Sequence, residues 1–194
     1  MDQSPIAANE YDLFRHYLED ACGIVLGDNK HYLVTSRLKR VTEEFSFPSL
    51  SEMMRTLVKG NDRKLREKVI DAMTTNETMW FRDVYPFEIL KKELFPELAK
   101  NKAPIKIWSA ASSTGQEAYS ISMATSEFQS SNPGKLTSNV EIVGTDISQS
   151  VVNQAKLGRY DELSVVRGLS QERRDKFFKH KEELWEINAD IKQR

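Results

Sequence analysis

Cysteine is nearly missing from this sequence: Cys22 is the only one in 194 residues. A lone thiol excludes an internal disulfide and fits a reducing compartment. Its position beside the apolar face of a first helical stretch marks it as a buried thiol rather than a nucleophile. No apolar run approaches the length that crosses a bilayer, and Met1-Asp-Gln-Ser-Pro-Ile6 has neither the basic nor the apolar region of a secretory signal. The expected location is the cytoplasm, without membrane insertion. Neither sign of charge is in excess, since 28 Lys and Arg face 29 Asp and Glu for a net charge of -1. That balance argues against dedicated nucleic-acid binding. His16, His31 and His180 are scattered and match no metal-ligand spacing, so no metal is expected. What remains is an ordinary composition, 39% hydrophobic, sufficient for one sizeable core or two small ones.

The first third of the chain reads as short amphipathic helices. Asn9 is placed to cap a helix with apolar positions Tyr11, Phe14, Tyr17, Leu18 and Ala21. A second helix starts near Lys30, with Val34, Leu38, Val41 and Phe45 inward and Arg37, Lys39, Arg40, Glu43 and Glu44 outward. Ser49 and Glu52 have capping-box spacing before a third helix, and Gly60-Asn-Asp62 separates a fourth that bears Leu65, Val69, Ile70 and Met73. Residues 1–73 are expected to form an all-helical domain whose helices depend on one another's packing. Residues 74–100 form a linker and junction. Within it Thr74-Thr-Asn-Glu-Thr-Met-Trp-Phe-Arg-Asp83 has no clean period, and Pro86 opens another helix.

From residue 101 the pattern changes to α/β. Ile105–Trp108 reads as a buried parallel strand, Ser109–Gly115 as a small-residue turn, and a helix follows with Tyr119, Ile121, Met123, Ala124 and Phe128. A strand that turns directly into a helix builds a shallow concavity lined by backbone N–H groups, suited to an anionic or zwitterionic ligand fragment. The second strand, Val140–Gly144, ends at Thr145-Asp146, where an acid ordinarily bonds ribose hydroxyls. The three-glycine dinucleotide fingerprint is missing, because only Gly115 is present. Helices are expected at 150–157 and 170–179, the latter exposing Arg173, Arg174 and Lys176 while burying Phe177 and Phe178, and a strand at Leu184–Asn188. Two core strands cannot cover both faces of a doubly wound layer. The expectation is therefore a fragment of a longer chain, or one part of an exchanged or oligomeric assembly.

Three pieces together resemble the chemotaxis receptor methyltransferases, the protein-glutamate O-methyltransferase family. They are the 74–83 segment, Ile107-Trp-Ser-Ala-Ala-Ser-Ser-Thr-Gly-Gln-Glu-Ala-Tyr-Ser120, and Gly144-Thr-Asp-Ile-Ser148 followed by Ala155, Gly158 and Tyr160. The resemblance runs from the N-terminal helices to the end of the chain. It implies an N-terminal all-helical domain followed by a partial Rossmann-like domain that binds S-adenosylmethionine, with the start of an inserted β-subdomain near 160–194. It also implies methyl transfer from S-adenosylmethionine to glutamates of methyl-accepting chemotaxis receptors, whose cytoplasmic helices become the partner, with S-adenosylhomocysteine as product. Trp80, Ala111, Ser112, Gln116 and Ala118 stand where family members more commonly have Phe, Gly, Cys, Glu and Pro. Further strands, an Asn-containing adenine-side segment and a tyrosine near the reaction centre are family features that this sequence lacks.

By the same resemblance Arg82 is the catalytic candidate, beside the transferring methyl. Asn76 and Thr78 contact the methionine part of the cofactor, Glu117 its ammonium group, and Asp146 its ribose. Arg37, Lys39 and Arg40 form a basic face for substrate docking. All but Asp146 have a plainer alternative: Arg82 as a surface arginine over Trp80 or Tyr85, Asn76 and Thr78 as caps or turn residues, Glu117 as the partner of Thr114 in a capping box, and the basic face as a solvated surface. For the whole, the alternatives are a non-catalytic receptor-binding or cofactor-sensing module, and a methyltransferase for another carboxylate.

Overall fold

The computed structural model describes residues 6–60 and 62–194. Met1–Pro5, where a secretory signal was sought, and Asn61 in the turn before the fourth helix lie outside the described residues. There are two compact units, one of the residues up to Thr75 with Ile147–Gln149, the other of Asn76–Asp146 with Ser150–Arg194.

The first unit contains four helices, α1 (Ala8–Cys22), α2 (His31–Glu44), α3 (Leu50–Val58) and α4 (Arg63–Met73). Each contributes one apolar stripe to a shared core: Tyr11, Phe14 and Leu18 from α1, Val34, Leu38 and Val41 from α2, Met53, Met54 and Leu57 from α3, and Leu65, Val69 and Met73 from α4. The caps are local. Ser49 accepts from the Glu52 N–H at 3.2 Å and Asp62 from the Leu65 N–H at 3.0 Å. Asn9 does not cap α1, which begins one residue earlier behind an extended Ala7 that has no side-chain cap. At its other end α1 stops at Gly23, left-handed at φ 73°, whose N–H closes onto the Glu19 carbonyl. Cys22 is half-buried, with its thiol on the Leu18 carbonyl.

Arg37 departs from the outward placement read in the sequence. Its guanidinium donates to the Met73 carbonyl at 2.5 Å, the Thr74 carbonyl at 3.2 Å and the Thr75 hydroxyl at 3.0 Å. These groups lie at the C-terminal end of α4, where unpaired carbonyls and the helix dipole both favour a cation. Lys39 and Arg40 are exposed on α2.

The second unit opens with α5 (Tyr85–Ile89), a π-helical turn at Leu90–Leu94, and α6 (Phe95–Leu98). Then come β1 (Ile105–Ala110), α7 (Gln116–Ser131), β2 (Val140–Thr145) and α8 (Gln149–Leu157). β1 and β2 pair in parallel, from Ile105 opposite Val140 to Ala110 opposite Thr145. Ile105 and Ser109 face the packed side, and Trp108 on the opposite side is 71% exposed. β1 is therefore covered on one face, not buried on both as its apolar run suggested. Among the described residues no helix is long and apolar enough to cross a membrane.

Beyond α8 lie β3 (Arg159–Tyr160), α9 (Glu162–Val166), α10 (Gln171–Phe177), β4 (Phe178–Lys181), β5 (Leu184–Ile187) and α11 (Ala189–Lys192). The three strands form an antiparallel sheet in the order β3-β5-β4. The helix expected through residue 179 stops at Phe177. Phe178-Lys-His-Lys181 alternates in the strand period, and the His180 ring meets Trp185 across the hairpin at 4.9 Å. Nor is Arg173 simply exposed. It forks onto both Glu127 oxygens at 2.6 and 3.0 Å, with its guanidinium 3.6 Å from the centroid of Phe81.

Burial pushes the Glu127 carboxyl up, but the Arg173 fork and nearby Lys91 outweigh it and leave the carboxyl below its ordinary 4.5. A carboxylate depressed by folding stabilises the native state above about pH 4.5, and that contribution disappears as pH falls through the folded value. Urea titration of the parent and Glu127→Gln proteins should therefore show a stability difference that is full above about pH 5 and shrinks as the pH is lowered below it. A difference that stays constant over that range would contradict the pairing.

Candidate functional site

The candidate site lies within the second unit, on the junction segment 76–84, the β1–α7 loop and the end of β2. The loop consists of small residues because its backbone is left-handed at three places: Ala111 at φ 55°, Ser113 at φ 50° and Gly115 at φ 93°. Gly115 also tolerates no side chain, since a Cβ there would lie 2.9 Å from the Ala155 Cβ. Ala111 pays for its left-handed conformation where a glycine would not, with a penalty of roughly 1–2 kcal/mol.

Ser113 ties the parts together. Its N–H donates to Asp146 Oδ2 at 2.8 Å, and its hydroxyl donates to the Asn76 carbonyl at 2.8 Å. The Ser112 N–H reaches the Thr145 carbonyl at 2.9 Å, fixing the loop to the end of β2. On the other side of the loop the Ser109 hydroxyl donates to Glu117 Oε1 at 2.7 Å. The Thr114–Glu117 capping box does not form: α7 begins behind Gly115 without a side-chain cap, and the Thr114 hydroxyl goes to Gln116. Two carboxylates thus flank the loop, Asp146 half-buried and Glu117 exposed. That pair of acceptors fits a ligand bearing positive charge and hydroxyls, and it does not fit a phosphate.

The junction segment is anchored by two aromatics. Trp80 is fully buried, and its indole N–H donates to the Ser164 carbonyl at 3.0 Å. Its backbone N–H goes to the Arg167 carbonyl at 3.3 Å, and its ring meets Tyr160 and Phe178 edge-on at 4.9 and 5.3 Å. Gly168 lies so close that an added Cβ would fall 2.1 Å from the Trp80 carbonyl oxygen. Phe81 donates its N–H to the Ser120 hydroxyl at 3.0 Å and stands 5.0 Å from Phe87. The backbone then strains: Phe81, Asp83 and Val84 have φ of 47°, 63° and 51°, and a β-branched residue is a genuine outlier there.

Between these strained residues Arg82 is exposed, with no hydrogen bond or salt bridge among the described residues. It does not stack on Trp80 or Tyr85. The cation over an aromatic of this segment is Arg173. Thr78 is half-buried, and its hydroxyl makes no hydrogen bond among the described residues. The structure therefore brings Asn76 and Asp146 together through Ser113 and places Glu117, in the first turn of α7, against Ser109 of β1. Arg37 belongs to the C-terminus of α4 in the other unit. Sequence reasoning missed Ser113, Ser109 and the ion pair between Glu77 and Arg167, 2.6 Å long. The run of small residues at 109–115 signalled the serines collectively, whereas nothing local links positions 77 and 167.

Comparison with known proteins follows the same division. Residues 9–74 match the family profile described as CheR methyltransferase, all-alpha domain, and residues 76–194 match CheR methyltransferase, SAM binding domain. A "Chemotaxis protein methyltransferase" of Vibrio anguillarum is 55% identical over 173 residues, covering 89% of this chain and 62% of that protein. A "Chemotaxis protein methyltransferase 1" of Pseudomonas aeruginosa is 50% identical over 192 residues, covering 97% of this chain and 70% of that protein. One from Borreliella burgdorferi is 33% identical over 149 residues, 74% of this chain and 52% of its own length. The chain thus spans 62% of the length of the Vibrio relative.

The left-handed loop can be checked at Ala111. Ala111→Gly should fold with unchanged or higher stability, and Ala111→Val should lose more than about 1 kcal/mol, because a β-branched side chain crowds a positive φ. Thermal or denaturant midpoints measure both, and a valine variant as stable as the parent would refute the loop conformation.

Proposed function

This chain belongs to the CheR methyltransferase family, and on that premise we propose that its α/β unit binds S-adenosylmethionine at the β1–α7 loop. The whole protein would then methylate glutamate side chains of methyl-accepting chemotaxis receptors and release S-adenosylhomocysteine. The observation that carries the reading is the pair of carboxylates flanking the loop, Asp146 held by the Ser113 N–H and Glu117 by the Ser109 hydroxyl. Asp146 would accept from the ribose hydroxyls, the ordinary use of an acid after the second strand. Glu117 would meet the ammonium group, and Asn76 and Thr78 the methionine portion.

Bound there, the cofactor supplies an electrophilic methyl group for the acceptor carboxylate. The acceptor glutamate is already ionised near pH 7 and needs no general base. Arg82 is exposed without a partner among the described residues, so it is available to grip a carboxylate with two parallel hydrogen bonds. Because transfer removes the acceptor's charge, a clamp that merely stabilised the carboxylate would oppose reaction. The role assigned to Arg82 is therefore to align the acceptor oxygen. Lys39 and Arg40 on α2 are proposed as a docking face for the acidic, cytoplasmic receptor helices. Arg37 is not part of it, being engaged with the end of α4.

Calorimetric titration with S-adenosylmethionine and S-adenosylhomocysteine tests the site. Saturable binding should weaken about tenfold or more in Asp146→Ala. Arg82→Ala should keep cofactor affinity within about threefold while transfer to receptor helices falls about a hundredfold or more. No binding by the folded protein would overturn the site. Binding without transfer would leave a sensing module, and transfer only to other carboxylates would change the acceptor.

A further inference from the structure

Arg82 sits inside a turn whose first residue is gripped from outside the segment. The Val84 N–H closes onto the Phe81 carbonyl at 3.0 Å, so Arg82 and Asp83 are the central residues of a four-residue turn. Asp83 is left-handed at φ 63°. Phe81, which opens the turn, is left-handed as well at φ 47°, a conformation that a bulky residue keeps only where its surroundings impose it. Those surroundings come from three elements. The Phe81 N–H goes to the Ser120 hydroxyl of α7 at 3.0 Å, its ring meets Phe87 of α5 at 5.0 Å, and the Arg173 guanidinium of α10 lies over that ring, 3.6 Å from the centroid. Arg173 is itself held, since its Nε and Nη2 donate to the two oxygens of Glu127 at 2.6 and 3.0 Å. The side chains of that pair are only 25% and 22% exposed. Lys91 stands 3.5 Å from the same carboxylate and 3.0 Å from Glu88 of α5.

We propose that Arg173 is a positioning residue for methyl transfer: its guanidinium, held by Glu127, clamps the Phe81 ring and so fixes the turn that carries Arg82. The link from clamp to Arg82 is one peptide bond, because Phe81 immediately precedes it. Arginine suits the task. Its planar group can stack on an aromatic face and fork onto a carboxylate at the same time, whereas an ammonium group offers no such plane. Without the clamp, Phe81 is free to relax towards a negative φ, which would turn Arg82 in a new direction. Alignment at a reacting centre is sensitive to such changes, a displacement of about 1 Å being enough to cost about a hundredfold in rate. The cofactor reading uses other contacts, Asp146 held by the Ser113 N–H and Glu117 by the Ser109 hydroxyl. Loss of the clamp therefore belongs in turnover rather than in cofactor affinity.

The inference rests on the reading that Arg82 aligns an acceptor carboxylate, and its test separates the two. In transfer assays on the whole protein, Arg173→Met should lower kcat for the receptor acceptor about tenfold, while acceptor KM and S-adenosylmethionine affinity by calorimetry stay within about threefold. Arg173→Lys keeps a charge on Glu127 but presents no flat face to the ring, so it should recover thermal stability more than turnover. Lys91→Met removes the other cation on Glu127 and should leave kcat within about twofold. In a Phe81→Leu background the ring is gone, and adding Arg173→Met should cost less than about threefold more. The one-bond Cα–Hα coupling of Phe81 differs between positive and negative φ, and it should change in Arg173→Met with no turnover involved. A merely structural ion pair predicts a kcat loss that follows stability through all three single variants and is undiminished in the Phe81→Leu background. That pattern, or an unmoved Phe81 coupling, overturns the proposal. Should Arg173→Met fail to fold, Arg173→Lys and its combination with Phe81→Leu give the same decision. A parent protein that fails to methylate receptor helices overturns the assigned function instead, and the Phe81 coupling still decides whether Arg173 holds the turn.

Discussion

Burial of Trp80 is the constraint from which the rest of the α/β unit follows. An indole of this size removed wholly from water contributes on the order of 2–3 kcal/mol, and it requires a partner for its N–H, which the Ser164 carbonyl supplies. Meeting that requirement draws the α9 turn and the Arg167-Gly168 bend onto the junction segment. Phe81 is fixed from the opposite side by Ser120 of α7 and by the guanidinium of Arg173, itself forked onto Glu127. Both aromatics that precede Arg82 are anchored inward. Arg82 is where the segment leaves the core, and Asp83, Val84 and Tyr85 after it are exposed as well.

The loop after β1 obeys a different economy. Small residues there satisfy backbone rather than side-chain demands: three left-handed positions within five residues leave N–H groups and hydroxyls facing acids instead of helix ends. Ser113 reaches both Asp146 and the Asn76 carbonyl, so the loop, the end of β2 and the start of the junction segment form one hydrogen-bonded assembly. Strain at Ala111 and at Val84 is tolerated because each neighbouring residue is held by contacts of its own.

Charged residues are divided between building and binding. Arg37, Arg167 and Arg173 each satisfy oxygen atoms within the fold, whereas Arg82, Lys39 and Arg40 have solvent-facing charge. The guanidinium's planar fork and permanent charge suit both uses, which is why residue type alone does not separate them.

Periodicity in the sequence determined the helical unit: stripes such as Val34, Leu38 and Val41, or Leu65, Val69 and Met73, have one face to bury and one geometry that buries it. The apolar runs of β1 and β2, the turn between β1 and α7, and the acid at 146 were equally legible, because strand, small-residue turn and terminal carboxylate are local signals. Contacts between residues far apart in the chain were not. Asn9 was passed over as a cap because α1 starts one residue before it, and Arg37 left the outward face because the carbonyls that hold it come from another helix. The helix at 171 ended early because a hairpin partner claimed Phe178. Only the tertiary structure decided that Ser113 joins Asp146 to Asn76, and that Glu77 pairs with Arg167. Charges separated by ninety positions meet only once Trp80 is buried.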